Sequence, residues 1–335
     1  MADDLIVIFG TGPVGCWAAR ALVERGLPVR AVNRSGRRPA LLPTEVELRA
    51  VDASDDRLAA GAAAGAAVVV QALNPPYDQW LDRFPPLQKA VMAAAERHGA
   101  RYVSVENLYM YDASGPIRED TRLAPSSRKG ELRWRMGEEV MAAHLRGQLR
   151  TTQLRSADYY GPGVTGSAWG ERVFGPLVAG KPAQVTGALD VPHALAYIED
   201  VGRTVAVLAT RDEALGRVWI APHAPARSQR EMVAIAAAAA GVEPRASAMG
   251  PFMMRLGGLF VPAARETVEM MYQFMRPFEV DASRIERDFG LSATSLEEGM
   301  ARTVAWYRAR GTDAEGHPAH PHEVIDGGTL PPTRA

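Results

Sequence analysis

The sequence of 335 residues contains one cysteine, Cys16. A disulfide frame and a cysteine-ligated metal are therefore excluded, and a reducing, cytoplasmic compartment is expected. Lysine is nearly as scarce, with only Lys89, Lys129 and Lys181. The net charge is -1, from 38 basic and 39 acidic residues, so the basic excess of a nucleic-acid binder is missing. No apolar run reaches the roughly 18 residues of a membrane helix, and no membrane partner is expected. The opening "MADDLIVIFG" places acids ahead of its apolar run, the reverse of a secretory signal. No internal repeat is visible. What is present, 47% hydrophobic and 23% charged residues, is the composition of a globular protein with one large domain or two interleaved ones.

The first half alternates strand and helix patterns. Strands are expected over Leu5 to Phe9, Pro28 to Asn33, "VELRAVD" ending at Asp52, "AAVVVQAL" from Ala66, and "ARYVSVEN". Helices are expected from Val14 to Arg25, ended by Gly26, and from Pro86 to His98, closed by Gly99. Strands separated by helices of this length make βαβ units and an α/β fold with a parallel sheet. The near-continuous apolar run 67–70 suits a sheet covered on both faces. The second half is less regular. It offers a long helix from Gly130 to Arg146, a strand leading into "YYGPG", a short helix near Glu171, the strand "RVWIAP" and a helix from Gln229 to Ala240. The tail from Gly311 has little apolar periodicity and is expected to be loosely ordered.

"IVIFGTGPVG" is the most informative stretch. A strand, then Gly10, Gly12 and Gly15 in G-x-G-x-x-G spacing, then a helix, is the setting of a dinucleotide turn. The first glycine permits the tight turn, the second lets backbone approach a pyrophosphate, and the third lets helix and strand pack closely. The helix start, with Pro13 and Val14, adds N–H donors and a positive dipole end. An NAD site usually has an acidic residue about 20 residues further on. Here Asn33 stands there, followed by "RSGRR", so Arg34, Ser35, Arg37 and Arg38 offer charge-assisted bonds to a 2′-phosphate. NADP(H) is therefore expected over NAD(H). Asp52, ending the third strand, either meets the adenine or caps the next helix. Ala72, Leu73 and Asn74, ending the fourth strand, complete the expected cofactor-binding set.

Together these residues resemble the extended and atypical short-chain dehydrogenase/reductase superfamily, in particular its NAD-dependent epimerase/dehydratase-like members. The resemblance runs over about residues 4–310. It is carried by "IFGTGPVG", "YVSVENLYMY", "GPIREDTRLAP", "LRSADYYGPGV", "LAYIEDVGRTV" and "VDASRIERDFGLSATSLEEGMARTVAWYR". It implies a doubly wound parallel-sheet Rossmann fold with a smaller, partly interleaved C-terminal substrate domain. On that resemblance, residues 1–160 and about 191–222 form the NAD(P)-binding domain, about 161–190 and 223–312 the substrate domain, and 313–335 a tail. It also allows a homodimer through the helices at Pro86 to His98 and Gly130 to Arg146.

The sequence departs from this family where its chemistry lies. The usual set is Ser or Thr followed by Tyr-x-x-x-Lys on the next helix, and no Tyr-x-x-x-Lys occurs anywhere here. Alignment on that helix puts Gly130 at the Tyr position, Trp134 at the Lys position and Asn107 at the Ser position. Replacement candidates are Tyr109 and Lys129 as proton sources and Asn107 as a hydrogen-bonder to substrate. Each has a plainer reading as sheet-edge packing, an exposed helix-start lysine and a turn stabiliser. Tyr109 and Tyr111 point the same way if their segment is extended. Asp158 sits where the family often has Asn near the nicotinamide, and offers a proton relay. Tyr159, Tyr160 and His193 are further pocket candidates or structural groups. "FMMRLGGLF" and "EMMYQFMRPF" read as helix-packing core or as an adaptable lid over an apolar substrate. His317, His320 and His322 are a weak metal candidate by composition.

The expected function is an NADP(H)-dependent oxidoreductase moving a hydride to or from a small or mid-sized carbonyl or alcohol, with a non-standard proton donor. The alternatives are a nucleotide-sugar epimerase or dehydratase that retains NAD, and a non-catalytic NADP(H)-binding regulator.

Overall fold

The computed structural model describes residues 4–111, 114–250 and 268–310. "FMMRLGGLF" and the three tail histidines lie outside the described residues. In chain order the strands are β1 (Ile6–Phe9), β2 (Val29–Asn33), β3 (Glu47–Ala50), β4 (Val68–Gln71), β5 (Arg101–Asn107), β6 (Thr151–Ser156), β7 (Asp158–Tyr160), β8 (Ala183–Thr186), β9 (Pro192–His193), β10 (Leu195–Tyr197), β11 (Val218–Ile220), β12 (Arg227–Ser228) and β13 (Ala246–Met249). The helices used below are α1 (Pro13–Val23), α2 (Asp56–Ala62), α3 (Trp80–Arg97), α4 (Arg128–Leu145), α5 (Glu171–Val178), α6 (Ile198–Thr210) and α7 (Gln229–Ala240).

Seven strands form one sheet in the order β11-β6-β5-β4-β1-β2-β3. Every pairing in it is parallel. Successive side chains of a strand face opposite ways, and the burial follows that rule. Ile6 and Ile8 enter one core with Val70, Val103 and residues of α1 and α6. Val7 and Phe9 enter the other with Val69, Tyr102 and residues of α2, α3 and α4. The sheet is thus covered on both faces, the doubly wound arrangement expected. A third apolar cluster joins Trp169, Phe174 of α5, Leu195 of β10, Met232 of α7, and Met300 and Tyr307 of the C-terminal helix Leu296–Arg310. Among the described residues no helix is long and apolar enough to cross a membrane.

Three boundaries differ from the sequence reading for local reasons. The helix expected from Pro86 begins at Trp80, with Pro85 and Pro86 inside it. The buried Trp80, whose indole N–H donates to the Pro75 carbonyl at 3.1 Å, anchors this early start. The long helix begins at Arg128 because Ser127 caps it, its hydroxyl accepting from Gly130 N at 3.0 Å. The cap of α2 is Asp55, which accepts from Arg57 N at 2.9 Å and Leu58 N at 3.0 Å. Asp52, read as an alternative cap, instead closes a turn on Ser54. Asp55→Ala is therefore expected to cost about 1 kcal/mol in urea unfolding. Equal losses for Asp52→Ala would contradict this assignment.

Because all seven strands run the same way, their carboxyl ends share one edge. The strand order reverses between β1 and β4, which opens a crevice at that edge.

Candidate functional site

The glycine turn lies in this crevice. Gly10 follows β1 with φ at 108°, a conformation that favours glycine, and a Cβ there would sit 2.5 Å from the Ala72 carbonyl oxygen. A Cβ on Gly15 would lie 1.9 Å from the Gly10 carbonyl oxygen, so α1 and β1 touch only because the side chain is absent. Gly12 is different. Nothing lies within 4 Å of the position its Cβ would take, so the backbone at the start of α1 faces open space. Two glycines thus serve close packing and one leaves a cradle, which fits a pyrophosphate lying against the α1 N-terminus.

The loop after β2 is tied to this turn. The Asn33 amide donates to Thr11 Oγ1 at 2.8 Å and to the Arg37 carbonyl at 2.9 Å, and its oxygen accepts from Gly36 N at 2.7 Å. Asn33 therefore shapes the loop. Arg34 and Ser35 are exposed beside it. Arg38 does not serve as a phosphate ligand here, since its guanidinium donates to the Pro43 and Val46 carbonyls at 2.6 and 2.7 Å. Hydrogen bonds from Ser54, and then the Arg34 and Arg83 charges, hold the Asp52 carboxyl below its ordinary value. Ala72, Leu73 and Asn74 leave β4 across the crevice, Ala72 against Gly10 and Asn74 exposed.

Gly130, aligned above with the tyrosine position, has no room for a side chain. A Cβ on Gly130 would lie 2.4 Å from the Tyr109 carbonyl oxygen, so the chain itself fills that place. Trp134, at the lysine position, is half-exposed on α4. A lysine does stand nearby, Lys129 at the start of α4. It is fully buried, not an exposed helix-start group, with Nζ 2.8 Å from Glu269 Oε1 and 4.6 Å from the centre of the Tyr77 ring. Glu269 also accepts from Arg128 N at 3.0 Å, which fixes it at the α4 N-terminus.

Tyr109 and Tyr111 do not point the same way. The chain turns over Leu108–Met110, so the segment is not extended. Tyr109 stacks on Trp80, with centroids 6.1 Å apart, in a small cluster with Tyr77, Phe84 and Met136. Tyr111 is buried in the α1/α6 core, where its hydroxyl accepts from Arg155 at 2.6 Å. Arg155 also bonds Glu106 at 3.1 Å, both charges being buried in the sheet. Asn107 accepts from Tyr109 N at 3.2 Å, holding the turn. Tyr77, Tyr109 and Tyr272 all feel the Asp158 charge, and Tyr77 and Tyr109 also act on each other. Burial, and then the neighbouring Tyr77 and Asp158, holds the Tyr109 hydroxyl well above the usual tyrosine value. Burial likewise raises Tyr77. Both hydroxyls are therefore protonated at neutral pH.

Asp158 and His193 meet at 2.9 Å, and Phe274 and Phe278 stack on the imidazole. Tyr160 is packed in the third cluster. Met270, Met271, Phe274 and Phe278 of "EMMYQFMRPF" are buried, the core reading of that stretch, while Met275 is exposed. Reasoning from sequence did not single out Tyr77, Tyr272 or Glu269. Tyr77 carried a signal, since "PPYDQW" directly follows the fourth strand and its cofactor residues. Among the described residues no cluster of three metal-ligating side chains occurs.

Comparison with known proteins agrees with this geometry. Residues 10–142 match the NAD(P)H-binding family. An epimerase from Methanothermobacter thermautotrophicus superposes with a TM-score of 0.75 at 16% identity, over 92% of this chain and 93% of that one. The UDP-glucose 4-epimerase of Thermotoga maritima, solved with UDP-glucose, gives 0.73 at 16%, over 91% and 99%. The UDP-glucuronic acid 4-epimerase of Bacillus cereus, in complex with UDP-glucuronic acid and NAD, gives 0.71 at 17%, over 91% and 99%. No curated protein matches the sequence. This chain has a Rossmann-like α/β fold, the fold of these epimerase structures. Within it, residues 10–142 are similar to the NAD(P)H-binding family.

Proposed function

We propose that this protein is an NADP(H)-dependent oxidoreductase that reduces a small or mid-sized, apolar carbonyl compound to its alcohol. The observation that carries this reading is the juxtaposition, at one sheet edge, of an open glycine cradle and a buried tyrosine–lysine cluster. Gly10, Gly12, Gly15 and the α1 N-terminus would hold the pyrophosphate, with Ala72, Leu73 and Asn74 across the crevice. Arg34 and Ser35 would meet the 2′-phosphate, since Asn33 puts no carboxylate against it and Arg38 is engaged elsewhere. The bound reduced dinucleotide supplies the hydride.

The chain's own residues supply the proton and its setting. Tyr109 donates to the carbonyl oxygen as negative charge grows there. Lys129, paired with Glu269 behind Tyr77, would orient that ring at the same corner. Trp80, Tyr77 and Phe84 make the wall apolar and exclude water. A carbonyl reduction needs a proton at the new alcohol oxygen, and the Tyr109 hydroxyl beside this apolar wall can supply it.

Arg34→Ala tests the cofactor assignment. It is expected to weaken NADPH binding about tenfold, roughly 1.4 kcal/mol, and to leave NADH binding unchanged in fluorescence titration. Equal weakening of both would remove the 2′-phosphate role. An NADPH-oxidation screen against aromatic and aliphatic aldehydes and ketones tests the chemistry. Tight binding with no turnover of any of them would favour the regulator reading.

A further inference from the structure

His193 is fully buried, and both of its ring nitrogens face acceptors. Nδ1 lies 3.2 Å from the Gln273 carbonyl oxygen, and Nε2 lies 2.9 Å from Asp158 Oδ2. A carbonyl oxygen can only accept, so Nδ1 must carry a hydrogen for that contact to be favourable. If Nε2 were then bare, it would face an ionised carboxylate lone pair to lone pair. The contact therefore needs one proton more than a neutral imidazole beside a carboxylate would hold. That proton sits either on Nε2, giving imidazolium and carboxylate, or on Asp158, giving imidazole and carboxylic acid.

The imidazole lies against Phe274 and Phe278, at 4.6 and 5.0 Å between centroids. Aromatic faces suit a cationic ring and shield it from water. The Asp158 side chain is 17% exposed, so it alone links the pair to the crevice. It lies just past the carboxyl end of β6, beside the end of β5 that carries Tyr109. Its charge acts on the hydroxyls of Tyr77, Tyr109 and Tyr272. The pair is assembled by the pairing of β7 with β10, although its members are 35 residues apart.

We propose that His193 and Asp158 form a proton-holding pair that restores the Tyr109 proton after each reduction. This rests on the reductase reading above. When hydride reaches the carbonyl carbon, the C=O π electrons move to oxygen, and Tyr109 gives that oxygen its proton. The resulting tyrosinate takes the stored proton by way of Asp158, directly or through one water. The pair is left as neutral imidazole and carboxylate, one nitrogen short of a hydrogen, and regains its proton from solvent through the exposed edge of Asp158. The groups facing this relay are the Gln273 carbonyl on His193, and Tyr77, Tyr109 and Tyr272 on Asp158. Lys129 and Glu269 sit behind the tyrosines. His193 and Asp158 act through Tyr109 and are positioning residues in this scheme.

Asp158→Asn is the discriminating variant. An asparagine N–H donates to Nε2, so the neutral imidazole keeps both contacts with no stored proton and no steric change. The first readout is the ring 15N spectrum of histidine-labelled protein at neutral pH, with His193→Gln assigning the signal among the seven histidines. The expected result is a protonated Nδ1 in both forms, with the Nε2 signal moving in Asp158→Asn. A bare Nδ1 in the wild type overturns the proposal. The second readout uses NADPH and 4-nitrobenzaldehyde as probe. Asp158→Asn is expected to lower kcat at least tenfold at alkaline pH and less at acid pH, where solvent supplies the proton. KM and NADPH affinity should stay within twofold. An unchanged kcat at every pH also overturns the relay. Absence of turnover in the wild type with every carbonyl compound overturns the reductase reading and the hand-off with it. The 15N spectrum then still decides whether the pair holds a proton.

Discussion

Gly15→Ala is expected to abolish NADPH binding, by at least a hundredfold, and to destabilise the fold at the same time. The added methyl would lie 1.9 Å from the Gly10 carbonyl oxygen, well inside contact distance, and that oxygen belongs to backbone that cannot swing aside. Relief requires α1 to move away from β1. Yet α1 is packed tightly against its neighbour α6 on the same face of the sheet, where a Cβ on Gly202 would already lie 2.6 Å from the Trp17 carbonyl carbon. Overpacking of this kind costs about 1–3 kcal/mol, and more where backbone must shift. The hundredfold loss, about 2.7 kcal/mol, follows because the same movement spoils the donors of the helix start. Gly12→Ala separates the two effects. Its methyl enters open space, so the unfolding midpoint should hold while the methyl intrudes on the pyrophosphate and NADPH binding falls. If Gly12→Ala binds NADPH as the wild type does, the cradle is not where the dinucleotide lies.

Tyr109→Phe is expected to lower kcat by about 10²–10⁴, the range of a lost general acid. The ring should keep its stacking on Trp80, so stability and NADPH affinity should change little. Burial raises the Tyr109 hydroxyl far above neutrality, so its proton is present throughout the neutral range and the wild-type rate should show no loss there from tyrosine ionisation. A kcat within threefold of wild type would move the proton donor to Tyr77, whose hydroxyl adjoins it.

Much of the fold was legible because its signals are local. Runs such as Ile6–Phe9 and Val68–Gln71 bury both faces, and short apolar stretches between helices leave little choice but a parallel sheet. The glycine spacing was legible for the same reason, as Gly10 and Gly15 answer to close backbone contacts in the turn and Gly12 to open space at the helix start. The candidate site was legible only in pieces. Lys129 was singled out by its rarity, but its partner Glu269 lies 140 residues away. Asp158 and His193 were each noticed, but their meeting depends on which short strands pair outside the main sheet. The parallel placement expected of Tyr109 and Tyr111 failed because Asn107 turns the chain at the end of β5. The lack of any Tyr-x-x-x-Lys was plain in the sequence. The Tyr109 carbonyl filling the space beside Gly130 belongs to tertiary packing that no spacing rule conveys.

The central claim is that the crevice beside β1 holds NADP(H). The most direct test is equilibrium titration of the purified wild-type protein with NADPH and with NADH, followed by nicotinamide fluorescence. The account predicts saturable binding of NADPH at one site per chain, at least tenfold tighter than NADH. Failure of both nucleotides to bind would contradict it and leave the glycine turn as a purely structural bend.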